Sequence, residues 1–220
     1  MRSSKRLIRR IVLLSLIVFF VFQAVSLIIS INDKILPQVK EMARIEASNA
    51  ATQIIKRSIS TIHIEPSECM SFMRDEDGNI IEVNYHTQIM NQILSDCLMA
   101  AQTSLDAASK GHVDPNTKML YYDGGVIYSV HAGYFTGIAL FSKLGPQIEL
   151  HMEVMNACSG VIEVKNTPYG MNSTLIEIEL VLTTQLLVVT PFLMTQAPVE
   201  CRIPLVIQIV QGKLPDYYMD

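Results

Sequence analysis

The chain has 220 residues, with 17 Lys or Arg against 21 Asp or Glu, a net charge of −4, a hydrophobic half and no Trp. Its first ten residues carry +5 and the remainder therefore −9, an acidic balance that argues against nucleic acid and against a second, electrostatic membrane contact. The high apolar content excludes a disordered tail, and the scarcity of aromatics argues against a stacking platform for sugars or bases.

Residues 1–10 contain Arg2, Lys5, Arg6, Arg9 and Arg10 and no acid. Residues 11–31, IVLLSLIVFFVFQAVSLIISI, contain no charge, Pro or Gly. As a helix this run spans about 31 Å, enough for a hydrocarbon core of ~30 Å. Positive residues stay on the cytoplasmic side, so the sequence predicts a cytoplasmic basic tail over 1–10 and a single transmembrane anchor over 11–31. Residues 32–220 form the extracytoplasmic domain, giving a cell-membrane protein with N-in/C-out topology. Ala24-Val25-Ser26 offers a competing reading, cleavage after Ser26. The apolar run continues to Ile31, longer than a signal core of about 7–15 residues.

Residues 33–60 predict a helix, with Ile35, Val39, Met42, Ala43, Ala47, Ala50, Ile54 and Ile55 at three- and four-residue steps and Pro37 near its start. Its face of Ala43, Ala47, Ala50 and Ala51 suits close approach to a sheet. Two β-prone runs then flank Asp75-Glu76-Asp77-Gly78, a hairpin signal. The acids resemble part of a calcium loop but lack its bidentate Glu, so a turn is expected there and no metal. Residues 86–109 predict an amphipathic helix on Met90, Ile93, Leu94, Cys97, Leu98, Ala101, Leu105 and Ala108, stopped at Lys110-Gly111. Asp114-Pro115-Asn116 marks a turn.

From 119 onward the chain reads as β-rich: MLYYD, VIYSVHAGYF, QIELHMEVM, GVIEVKN, TLIEIELVLTTQLLVVTPF and VECRIPLVIQIV are expected strands. Ile138–Phe141 suits a short helical turn. Pro191, Pro198 and Pro204 favour edges or bulges. The expected fold class is α+β: an N-terminal transmembrane helix, then one domain with two long helices packed on a mostly antiparallel β-sheet.

No phosphate loop, dinucleotide fingerprint, nucleophile elbow or zinc-protease motif occurs. The five histidines are dispersed; His131 with Ser129, or His151 with Cys158, are pairs that only folding could assemble. Glu149, Glu153, Glu163, Glu177 and Glu179 alternate with apolar residues, as on a solvated sheet face. Cys69, Cys97, Cys158 and Cys201 are widely spaced in apolar settings and read as free thiols, although an exported domain could oxidise them in any of three pairings. No catalytic residue, cofactor or metal site is assigned.

Leu144-Gly145-Pro146-Gln147-Ile148, Tyr169-Gly170-Met171-Asn172-Ser173-Thr174, Ile178-Glu179-Leu180, the apolar run ending Thr190-Pro191-Phe192, Val199-Glu200, and Gly212-Lys213-Leu214-Pro215-Asp216-Tyr217-Tyr218 occur in this order. Together they resemble the sporulation protein YunB family. Met171 and Ser173 depart from that family's usual Ile and Gln. The resemblance implies a membrane-anchored protein needed for endospore formation, made in the mother cell. Its domain would face the space between the mother-cell and forespore membranes. No enzymatic activity comes with it. A non-enzymatic assembly or scaffold component is therefore expected, with protein partners or self-association; the alternatives are an envelope hydrolase acting on cell-wall material and a small-ligand sensor. Tyr169, Gly170, Met171, Asn172 and Thr174 are the candidate interaction residues. The competing reading of this segment is a turn that sets the register of the strand after it.

Overall fold

The computed structural model describes residues 15–23, 26, 33, 35–76, 78–170 and 172–211. Residues 15–23 and Ser26 are helical and exposed; the basic tail 1–10, the rest of the expected anchor 11–31 and the Ala24-Val25 cleavage position lie outside the described residues. Among the described residues no helix is long and apolar enough to cross a membrane. The chain divides into two compact units, one of residues up to Ala43 with Val130–Ile148 and the other of Arg44–Ser129 with Glu149–Asp220.

In the smaller unit, the end of strand β3 (Val126–His131) runs into a 3-10 turn, Ala132–Thr136, closed by Gly137 at φ 71°. A second 3-10 turn, Ala139–Phe141, follows where the apolar tetrad Ile138–Phe141 predicts a helical turn. The Ala132 and Gly133 N–H groups donate to the Pro146 and Leu144 carbonyls, both at 2.9 Å. A Cβ at Gly133 would strike the Phe141 and Leu144 carbonyl oxygens, so only Gly fits.

The larger unit holds the sheet and most of two helices. Helix α1 (Leu36–Ile59) ends on Lys56 and Arg57, which complement the negative end of its dipole. The predicted alanine face is real: Ala43, Ala47, Ala50 and Ala51 are all buried, as are Ile54 and Ile55. Along the second half of α1, Ser48 shares a cleft with Pro198, and Lys56 and Ile59 share one with residues 202–205. A one-turn helix (Pro66–Cys69) leads into the hairpin of β1 (Met70–Arg74) and β2 (Ile80–Tyr85). The Asp75 carboxylate accepts from the Asn79 backbone N–H at 2.7 Å and from its side-chain amide at 3.1 Å, as turn residues do. Asp77 lies outside the described residues.

Helix α2 (Thr87–Ser109) buries Met90, Ile93, Cys97, Ala101, Leu105 and Ala108, with Leu94 and Leu98 half-buried at its margin. It crosses β5 (Ser159–Tyr169) at Gly160, where a Cβ would lie 2.7 Å from Leu182 Cδ2, 2.8 Å from the Val181 carbonyl and 3.5 Å from Leu94 Cδ1. The sheet is built on β6 (Ser173–Thr190). One edge of β6 pairs with β7 (Leu193–Gln211) throughout; the other pairs first with β5 and then with β4 (Gln147–Val154), and every one of these pairings is antiparallel. Beyond β4 lies β3. Even-numbered residues of β6 from Ile176 to Thr190 are buried, so period two puts one face into the core. On β7 the buried residues are odd up to Cys201 and even at Val206 and Val210. The parity changes because Ile178 pairs with Val206 and Glu179 with Pro204, leaving Leu205 as a bulge.

The two-helix, antiparallel-sheet reading thus holds. One expected strand does not form: MLYYD makes only a bridge between Val113 and Leu120. Lys118 stands at φ 58°, and Gly124 and Gly125 at φ 59° and 74°, so the backbone turns where a strand would extend. The expected strand VIYSVHAGYF is likewise cut at His131, where the 3-10 turn begins.

Candidate functional site

The segment singled out in the sequence closes the β5–β6 hairpin. Tyr169 and Ser173 form the last pair, so residues 170–172 are the loop. Gly170 stands at φ 76° with open space where a Cβ would be, so its backbone and not crowding calls for Gly. Tyr169 is exposed, Asn172 and Thr174 are half-buried, and Met171 lies outside the described residues. The segment therefore closes the hairpin as a turn. It also does something else.

Asn172 and Thr174 line a groove of about 320 Å³ whose opposite wall is β2. Asn166, Ile176 and Val210 complete the sheet side; Ile80, Glu82 and Tyr85 stand across from them. Tyr85 donates its hydroxyl to Asn166 Oδ1 at 3.0 Å and so bridges the two walls. Cross-strand neighbours share a face, and Asn166 pairs with Ile176 on the face that also carries Thr174 and Val210. The groove offers amides, hydroxyls, the Glu82 carboxylate and aliphatic side chains, a set that fits hydrogen bonding with a peptide-like surface. Sequence reasoning found Asn172 and Thr174 but missed Tyr85 and Asn166. The pairing of Tyr85 with Asn166 joins residues 81 apart, which no local pattern reports.

A second cleft, of about 440 Å³, lies between the end of α1 and the β7 bulge, with Lys56, His63 and Arg202 among Ile59, Ile64 and Leu205. Arg202 is engaged elsewhere. Its guanidinium lies 3.2 Å from Glu163, 3.8 Å from Glu179 and 2.9 Å from Glu200, while Lys165 lies 3.3 Å from Glu179. This lattice of alternating charge lies on the solvent face of β5, β6 and β7, the role the sequence suggested for Glu163 and Glu179. Pairing with Glu200 and Glu163 holds the guanidinium even further above neutrality than usual.

Several titratable groups elsewhere are tied into the fold. His86 Nδ1 lies 3.0 Å from the Glu68 carbonyl, which can only accept. In the neutral ring Nδ1 therefore carries the proton, and Nε2 accepts from the Ser71 hydroxyl at 3.0 Å. This ties the one-turn helix and β1 to the start of α2. His151 Nε2 lies 3.7 Å from Glu149, and the Cys158 backbone N–H donates to Gln102 Oε1 at 2.8 Å. All four cysteines are free. Burial pushes each thiol up, that of Cys97 to about 11 with help from Asp96, so none is poised as a thiolate.

Asp114 is fully buried. It accepts from the Thr117 hydroxyl at 2.6 Å, the Ser104 hydroxyl at 2.9 Å, and the Asn116 and Thr117 backbone N–H groups at 3.0 and 3.3 Å. Burial alone would raise its carboxyl, but these four donors outweigh it and hold the group below the usual aspartate value.

Comparison with known proteins adds an independent line. A family described as Sporulation protein YunB matches residues 127–217, which span β3 to β7 and include the whole 169–174 segment. The chain is also similar to Sporulation protein YunB of Bacillus subtilis (strain 168), 27% identical over 213 residues that cover 95% of this chain and 82% of that protein. No solved structure matches. The resemblance drawn from the sequence motifs therefore stands, and over residues 127–217 this chain carries the signature of the sporulation protein YunB family.

Proposed function

We propose that this chain serves sporulation as a membrane-anchored assembly component whose groove between β2 and the β5–β6 hairpin receives a protein partner. The similarity to Sporulation protein YunB supports a role in sporulation. The observation that carries the assembly reading is the groove itself: the β5–β6 hairpin within the family match contributes one wall and places Asn172 and Thr174 opposite exposed Ile81 and Glu82. Amide and hydroxyl groups beside aliphatic ones suit a polypeptide surface, where a few hydrogen bonds orient an apolar contact. The anchor over 11–31 would hold this face outside the cytoplasm, in the space around the forespore.

The test is Asn172→Ala in the sporulating organism beside the purified protein. A contact role predicts an unchanged melting temperature with a fall in heat-resistant spores. A fall in both would make Asn172 a turn residue only. Normal values of both would remove the groove from the proposal.

A further inference from the structure

We propose that the free edge of β5 pairs with β5 of a second copy, antiparallel, about a two-fold axis at Val164. Among the described residues β5 is the end strand of its sheet and pairs only with β6. Its ladder to β6 is regular over all eleven residues, Ser159 to Tyr169. The other long edge is different: β7 carries Pro198 and Pro204 and the Leu205 bulge, devices that prevent a further strand from adding. β5 has no bulge, and its single Pro168 is next to the end of the strand.

The occupant follows from the strand's own charge pattern. Residues opposite each other in an antiparallel pair share a face, so only alignments that keep inward residues against inward residues are allowed. With the axis at Val164, Glu163 of each copy stands opposite Lys165 of the other, two ion pairs on the solvent face. Val164 meets Val164, Ile162 meets Asn166, and the full strand is used, Ser159 against Tyr169. Moving the axis one residue to Glu163 or to Lys165 sets like charges against each other. The strand is therefore self-complementary in one register, which a second copy of this chain satisfies by symmetry. Lys165 already lies 3.3 Å from Glu179 and 3.8 Å from Glu163, so the charges of the second copy would extend an existing lattice. Val161 and Val164, 53% and 38% exposed, would lose water on opposite faces of the joined sheet.

This inference deepens the assembly role above by naming a partner. The full chain, purified in non-ionic detergent with Cys158→Ser, would carry Val164→Cys and be oxidised mildly. Opposed Cα atoms in an antiparallel pair lie about 4.5–5.5 Å apart, within disulfide reach, so a cross-linked dimer is expected. Mixing Val161→Cys chains with Thr167→Cys chains should also cross-link, while either alone should not. Glu163→Lys should weaken dimerisation roughly tenfold, since two favourable cross-strand pairs become repulsive, and Glu163→Lys with Lys165→Glu should restore it. A Val164→Cys chain that melts normally and stays monomeric on oxidation overturns the pairing, as does equal cross-linking of Val161→Cys alone. Either result leaves the groove untouched, because Asn172→Ala tests it separately.

Discussion

Asp114 is a buried carboxylate held by two hydroxyls and two backbone N–H groups. Asn116 extends the cluster, donating to the Ala100 carbonyl and the Ser104 hydroxyl, both at 3.0 Å, so the loop after α2 is bolted to the helix. Asp114→Ala should cost about 2–3 kcal/mol, because it strands buried donors, as a chemical denaturation midpoint would show. The pH dependence has a definite sign. The folded carboxyl titrates below its unfolded value, so its stabilisation is present above the unfolded value and is lost as pH falls through the folded one. Melting temperatures of the wild type should therefore drop on acidification below the ordinary aspartate range, and those of Asp114→Asn should drop less. Equal acid slopes would show that another group controls the transition.

The elements differ in how much of them a local pattern reveals. α1 and α2 were legible because each carries an apolar stripe at helical spacing, and the stripe is what the fold buries. β6 was legible because its inward residues alternate without interruption. The lower half of β7 was not: a strict alternation carried down from Cys201 would turn Val206 and Val210 to solvent, and only pairing with β6 reveals that Leu205 is skipped. MLYYD misled for a related reason. Its residues favour strands, but the Asp114 cluster and two left-handed glycines next to it leave no room to extend. The candidate groove was half legible, since the Gly170 turn announces itself while the wall that faces it comes from β2. Burial within α2 is graded, and this yields a ranking. Leu105 is fully buried and Leu94 half-buried, so Leu105→Asp should abolish cooperative unfolding, whereas Leu94→Asp should leave a weakened but measurable transition. Circular dichroism melts of both variants check the order, and a reversed order would contradict the placement of the stripe.

The whole molecule has an expected address. The basic tail and the apolar run 11–31 predict that the body of the chain lies outside the cytoplasm. A reporter active only outside, fused after Asp220, should be active, and the mature chain should retain its first residues. N-terminal sequencing that began at Leu27 would keep the export and remove the anchor.

The central position of β6 has a kinetic consequence. A strand paired along both edges directs most of its amides into a ladder, toward β7 on one side and toward β5 or β4 on the other. Its N–H groups can then meet solvent only when one of those neighbours peels away. In heavy water the β6 amides should form the slowest-exchanging set in the chain, at rates set by global opening. The outward amides of β5 should exchange orders of magnitude sooner in a dilute sample. Deuterium uptake is thus a clock for the order in which the sheet comes apart, with its middle strand last.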